Sequence, residues 1–176
     1  MRSDDDLLGP LRVLYLVHAL PPIERTGTSL IAFEYAKRAG ARGWKTAVVS
    51  ANPAVTGWRD VREWRDQGEW FTRFAVPLTP PAPATTTRSD PKSPPSRFFA
   101  GLLRRLAPDV VHVVDNDQLP EHWPDMAAAA GIPVVRFARP VDDELVEVSA
   151  LYKAAIGAQS RPPRWWRRAR PLMSRG

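Results

Sequence analysis

Apolar residues in this chain fall in short dense runs separated by amphipathic stretches, the alternation expected of strands and helices taken in turn. Leu11–Leu20 (LRVLYLVHAL) is almost wholly apolar, as a strand buried on both faces must be, and Pro21-Pro22 stops it. Thr28–Arg42 carries Glu34, Lys37, Arg38 and Arg42 on one helical face, with Leu30, Ile31, Phe33, Tyr35, Ala36 and Ala39 over the remainder. That spacing predicts a helix packed broadly on a sheet, ended by Gly43, with Glu34 and Arg38 as an i,i+4 pair. Lys45–Ala51 (KTAVVSA) then reads as a second buried strand, closing a βαβ unit.

Farther along, Trp58, Val61 and Trp64 recur at spacings of three, which predicts a second helix over Thr56–Gly68. Glu69–Val76 predicts a third strand, near an edge because it is more polar. Pro77–Pro95 holds seven prolines, which neither continue a helix nor donate to a sheet ladder. It is expected to be an extended surface insertion, the alternatives being a lid over substrate or an interdomain linker. Phe98–Leu106 predicts a short helix, Asp109–Val114 (DVVHVV) a central strand buried on both faces, and Leu119–Ala130 a helix at least from Trp123, stopped by Gly131. Ile132–Ala138 predicts the next strand. Val141–Ile156 predicts a helix whose first-turn acids suit its dipole. The expected fold class is α/β: a Rossmann-like, doubly wound, mostly parallel sheet of roughly five strands.

Charge changes this picture less than its total suggests. The net charge of +6 is misleading, because Arg161–Gly176 (RPPRWWRRARPLMSRG) holds six arginines and no acid, and outside it nineteen basic residues face nineteen acidic ones. A nucleic-acid partner is therefore not expected of the body. Trp165 and Trp166 among those arginines suit base stacking or a membrane interface, although irregular, non-functional sequence is the expectation for the tail. The absence of cysteine excludes disulfides and thiolate metal sites. The acidic start MRSDDDLLGP lacks the apolar core of a secretory signal, and no run reaches the roughly 18 apolar residues of a membrane span. The expected layout is a disordered 1–10, one domain over 11–156 and an Arg-rich irregular tail over 157–176. The expected location is the cytoplasm, with peripheral membrane contact left open.

Candidate chemistry gathers at the strand ends. The first loop closes in Thr26-Gly27-Thr28-Ser29 at a helix start, where backbone amides can hold phosphate and Gly27 allows close approach. An ordinary N-cap explains the same residues equally well, and the loop matches neither G-x-G-x-x-G nor a Walker A sequence. His18 ends the first strand and can face a cleft there, whereas His112, in mid-strand, is expected to be a core histidine. Asp115-Asn116-Asp117 follows a run of valines and reads either as a polar turn or as carboxylates poised for Mg²⁺.

The run LRVLYLVHALPPIERTGTSLIAFEYAKRAGARGWKTAVVSANP resembles the opening of retaining GT-B glycosyltransferases of the family 4 type, which begin with a strand, a Pro-Pro loop, a glycine-rich turn, a helix and a second strand. LAPDVVHVVDNDQLP is similar to that family's PDVVHVH strand and AAAAGIPVVRFARP to its GIPVVxTxHD strand, in the same order, over Leu11–Pro140. The resemblance implies a single GT-B half-domain, the acceptor-side half, with no cofactor and no metal; the nucleotide-sugar donor would be a substrate. The family's glycine-rich turn falls on Thr26–Ser29, where Gly27 alone is kept. Its cleft histidine falls on Arg139, which supplies no neutral imidazole but can grip phosphate or carboxylate bidentately. The implied substrate-binding residues are Gly27, Thr28, Ser29, His18, Asn116 and Arg139, and no catalytic residue is assigned. The family's donor half carries two glutamates eight positions apart, and no pair in this chain has that spacing. The expectation is thus a truncated or frame-shifted product, with authentic sequence ending between Glu147 and Gly157 and little catalytic power of its own. The alternative is a non-catalytic Rossmann-like binding module, or one subunit pairing with a separate donor-binding domain. A third reading, a Mg²⁺-dependent phosphatase, rests on the likeness of Asp115 and Asp117 to the Asp-x-Asp of haloacid-dehalogenase-type enzymes, with Asp142 and Asp143 as the later acidic pair.

Overall fold

A computed structural model describes residues 10–23, 27–65, 71–79, 90–115, 117–136 and 145–158. In chain order these form β1 (Arg12–Val17), α1 (Gly27–Ala41), β2 (Lys45–Ala51), β3 (Arg62–Trp64), β4 (Phe71–Val76), α2 (Pro94–Leu106), β5 (Val110–Val113), α3 (Trp123–Ala129), β6 (Val134–Arg136) and α4 (Leu145–Ala158). All six strands join one sheet in the order β3-β4-β2-β1-β5-β6, with every pairing parallel except that of β3 with β4. The protein is therefore α/β with a mostly parallel sheet.

Alternation within the strands sorts the core into two layers. Leu14 and Leu16 of β1 pack with Phe99, Leu102 and Leu103 of α2 and with Trp123 and Ala127 of α3. Val13, Tyr15 and Val17, on the other face, pack with Ala32, Tyr35 and Ala36 of α1 and with Val148 and Tyr152 of α4. Helices on both faces explain why the strands read as unbroken apolar runs, and they make the sheet doubly wound. None of the described helices is long and apolar enough to cross a membrane.

Several expectations are corrected. No helix forms over residues 56–65. Instead β3 lies antiparallel to β4, so the sheet has six strands and a short charged edge of the kind that resists edge-to-edge association. The spacing of three has another cause: Trp58 packs beside Phe98 and Trp123, at ring separations of 5.7 and 5.8 Å, while Trp64 stands over the Arg73 guanidinium. The middle of the sheet belongs to β2 and β1 rather than to β5, which is nonetheless buried along its length because α3 and α4 cover its two faces. β6 is only three residues long, half-buried at the far edge. α2 starts at Pro94, within the stretch expected to be loop. Ser93 caps it by accepting from the Ser96 amide, and proline fits the first turn because its missing N–H would have had no helical partner. Residues 1–9, 24–26, 80–89 and 159–176, together with Asn116, Arg139, Asp142 and Asp143, lie outside the described residues.

Three of the described helices stop with left-handed residues, one of them Gly131, at φ 76° after α3. Gly43 follows α1 at φ +84°, where glycine is unstrained, and Ala107 caps α2 at φ 43° and ψ 57°. Alanine is disfavoured there, since its Cβ crowds the neighbouring carbonyl. Ala107→Gly is expected to raise stability by about 0.5–1 kcal/mol, the relieved strain exceeding the added freedom of the unfolded chain. A urea midpoint equal to or below the parent's refutes this.

Candidate functional site

In open α/β sheets ligands bind beyond the carboxyl ends of the strands, where the strand order reverses. Here that point lies between β1 and β5: from β1 the chain moves through β2 to β4, then returns past β1 to β5 and β6. α1 and α3, which leave these two strands, lie on opposite faces of the sheet.

His18 directly follows β1, and Asp115 stands two residues beyond β5. Their side chains meet across the switch point, His18 Nδ1 lying 3.0 Å from Asp115 Oδ2. Thr28 Oγ1, in the first turn of α1, donates to the same oxygen at 3.4 Å, and the Asp117 amide donates to Oδ1 at 3.0 Å. Three segments thus converge on one carboxylate, whose side chain keeps 21% of its surface exposed while His18 keeps 11%. The β1–α1 loop is itself tethered. Buried Arg73 of β4 donates from Nη1 to the Pro21 carbonyl at 2.7 Å, its guanidinium enclosed by the rings of Phe33, Phe71 and Trp64.

Of the residues expected at this site, His18 and Thr28 come together. Gly27 opens α1 from an exposed position where a Cβ would meet nothing within 4 Å. Among the described residues, nothing packs closely enough on Gly27 to demand glycine there. Ser29 is fully buried in the first turn of α1. Asn116 and Arg139 cannot be placed, being outside the described residues. His112 is a core residue, its Nδ1 2.6 Å from the Tyr152 hydroxyl of α4.

Sequence reasoning missed two things. One is the partnership of Asp115 with His18, which has no local signature. The other is a polar chain joining the starts of α2 and α3, in which Ser93 Oγ donates to Ser96 Oγ at 2.9 Å and Ser96 Oγ lies 2.9 Å from His122 Nε2. Ser-x-x-Ser ahead of a helix was a signal for its first half. Burial holds the His122 pKa below the ordinary imidazole value, against the opposing pull of the nearby Asp125 carboxylate. A depressed histidine makes the folded state bind fewer protons than the unfolded one. Its stabilisation is therefore complete above the unfolded value near about 6.5 and falls as the pH drops below it. His122→Asn is expected to flatten the decline in melting temperature between about pH 7 and about pH 5; an unchanged slope refutes the assignment.

A cavity of about 680 Å³ lies at the opposite, amino end of the strands, lined by Arg12, Lys45, Arg65 and Arg105 among others. Arg12 and Arg105 are engaged there by Asp109 and Glu63, at 2.7 and 2.9 Å, and residues at the carboxyl ends of α1 and α2 complete the lining. Among the described residues no three metal-type ligands gather, so the geometry adds nothing to the phosphatase reading.

The fold is that of an α/β protein with a mostly parallel sheet, and a polar cluster of His18, Thr28 and Asp115 stands at its switch point. No protein-family model matches the chain, and comparison with curated proteins and with solved structures gave no match either.

Proposed function

We propose that this chain is the acceptor-side half of a sugar-transferring enzyme, holding a hydroxylated acceptor at the β1/β5 rim while a second domain or polypeptide holds a nucleotide-sugar donor. The supporting observation is the convergence of His18, Thr28 and Asp115 at the switch point. A carboxylate accepts hydrogen bonds from acceptor hydroxyls, and the threonine hydroxyl both donates and accepts. In transfer, the acceptor oxygen bonds to the donor's anomeric carbon, and the nucleotide leaves with the electron pair of the broken bond. The proton released by the acceptor needs a receiver, and an imidazole beside a carboxylate is suited to take it. The amides of Gly27 and Thr28, at the start of a fifteen-residue helix, suit the donor's phosphates. Catalysis then depends on the donor being brought to this rim.

The test is an amide-resolved NMR titration of the full chain with methyl glucoside, mannoside and galactoside, and separately with a nucleoside diphosphate. Shifts are expected at residues 18–20, 27–30 and 114–118. Asp115→Ala and His18→Ala are each expected to weaken glycoside binding about tenfold or more, equivalent to about 1.4 kcal/mol. Shifts confined to other surfaces, or binding indifferent to Asp115→Ala, would remove the assignment.

A further inference from the structure

α2 and α3 pack together on one face of the sheet, yet the contact between them is not filled. A cavity of about 290 Å³ lies there, lined by Ala100, Leu103 and Arg104 of α2 and by Met126 and Ala130 in and just after α3. The two sets stand at i, i+3, i+4 and at i, i+4, so each occupies one face of its helix. Side chains at such a contact normally interdigitate and leave few voids larger than a water molecule. Alanine at 100 and at 130 supplies a single methyl group, too little to fill the space. Leu103 is buried, Ala100, Met126 and Ala130 are half-buried and Arg104 is exposed, so the cavity runs from the core to a charged edge. Arg105 is held by Glu63 and lies over the Phe74 ring, whereas Arg104 makes no ion pair among the described residues. Its side chain folds back along α2, one guanidinium nitrogen lying 3.9 Å from where a Cβ on Gly101 would stand. That keeps the charge over the turn that carries Ala100, at the edge of the cavity.

We infer that this cavity is a binding site for a small anionic amphiphile, a medium-chain carboxylate, with its hydrocarbon chain between α2 and α3 and its carboxylate on Arg104. Apolar walls with one polar group to fix orientation are the make-up of a small-molecule site. A lining with one cation and no acid selects a single negative head, and a guanidinium can hold a carboxylate through two parallel hydrogen bonds. The volume equals that of roughly ten water-sized groups, so a saturated chain of about ten heavy atoms fills it and a longer one runs out into solvent. Each methylene buried raises affinity by up to about fourfold, and roughly twofold where burial is partial. The site is separate from the rim: Arg104 and Ala130 stand where α2 and α3 lead into β5 and β6, whereas the rim lies beyond the carboxyl ends of the strands.

The full chain is titrated by NMR with sodium butanoate, hexanoate, octanoate, decanoate and dodecanoate, all below micellar concentrations, and with 1-octanol as the neutral counterpart of octanoate. Amide shifts are expected at residues 100–104 and 126–130. Affinity is expected to rise about twofold or more per added methylene as far as decanoate and to level off beyond it. Octanoate is expected to bind about threefold or more tighter than 1-octanol, and Arg104→Gln to remove that difference while leaving the octanol affinity unchanged. Ala100→Phe, which fills the cavity, is expected to abolish binding of every chain with an unchanged circular dichroism spectrum. Should it disturb the packing of α2 on α3, the smaller Ala100→Leu is expected to shorten the chain length at which affinity levels off. Affinity indifferent to chain length, shifts confined to other surfaces, or decanoate binding that survives both replacements overturns the inference. Octanoate binding no tighter than octanol binding overturns it as well. So does self-association of the chain that Ala100→Phe abolishes, which would give the cavity to a second copy. The rim is judged separately in the same spectra, from residues 18–20, 27–30 and 114–118.

Discussion

Trp123→Ala is expected to lower the stability of the folded chain by about 3–5 kcal/mol, the range for deleting a large aromatic from a rigid core. The indole is fully buried and stacks on Phe99, with ring centroids 4.6 Å apart and planes within 5°. Trp58 meets it edge-on and Phe98 flanks it at 6.1 Å. Rings held by two helices and the approach to β3 cannot close over the space it would leave, so the loss combines transfer and cavity contributions. Trp123→Phe is expected to cost much less, about 1–2 kcal/mol, because it keeps the stacking and removes an indole N–H with no hydrogen-bond partner among the described residues. Urea unfolding followed by far-ultraviolet dichroism measures both. An alanine variant within about 1.5 kcal/mol of the parent would mean that this side of the sheet is not a close-packed core. The variant also bears on function, since the turn that holds Asp115 runs through His122 directly into α3.

The second large effect is alkaline. Tyr15 and Tyr152 are fully buried on the α1/α4 face. The Tyr152 hydroxyl donates to that of Tyr15 at 3.4 Å and lies 2.6 Å from His112. Burial raises both phenol pKa values well above the ordinary value near 10, an effect that their mutual proximity reinforces at Tyr152 and their hydrogen bond partly offsets at Tyr15. The unfolded chain releases these protons near pH 10 while the folded one keeps them. Stability is therefore flat below that pH and falls above it, by up to about 2.7 kcal/mol per pH unit for two groups. Tyr152→Phe is expected to remove about half of that slope. At neutral pH it is expected to cost about 1–3 kcal/mol, because the buried His112 imidazole loses the hydroxyl it faces. Unfolding midpoints from about pH 8 to about pH 11 decide the matter. A variant as steep as the parent would show that these phenols already titrate in the folded state.

Much of the scaffold was legible. The first helix was expected over Thr28–Arg42 and runs over Gly27–Ala41, because its stripe of charges and its glycine stop act locally. The strand Lys45–Ala51 is as expected, and α3 begins at Trp123. The segment around Trp58 and Trp64 was misread because a spacing of three marks burial on one side whatever the backbone. Only a neighbouring β4 with unpaired backbone groups makes β3 a strand. Pro94 was placed in the loop because proline ends helices from within, yet in a first turn behind a serine cap it begins one.

At the site, the division falls between what neighbours along the chain decide and what neighbours in space decide. The sequence alone determined that a polar group ends the first strand and that a glycine, a threonine and a serine open the helix after it. Of these, Thr28 donates to Asp115, whereas Ser29 is fully buried. The meeting of His18 with Asp115 was decided only by tertiary structure. The two residues are far apart in the chain, and they touch because the return from β4 sets β5 against β1 instead of beside β4. That choice depends on how whole apolar layers bury one another, so no local spacing of residues records it.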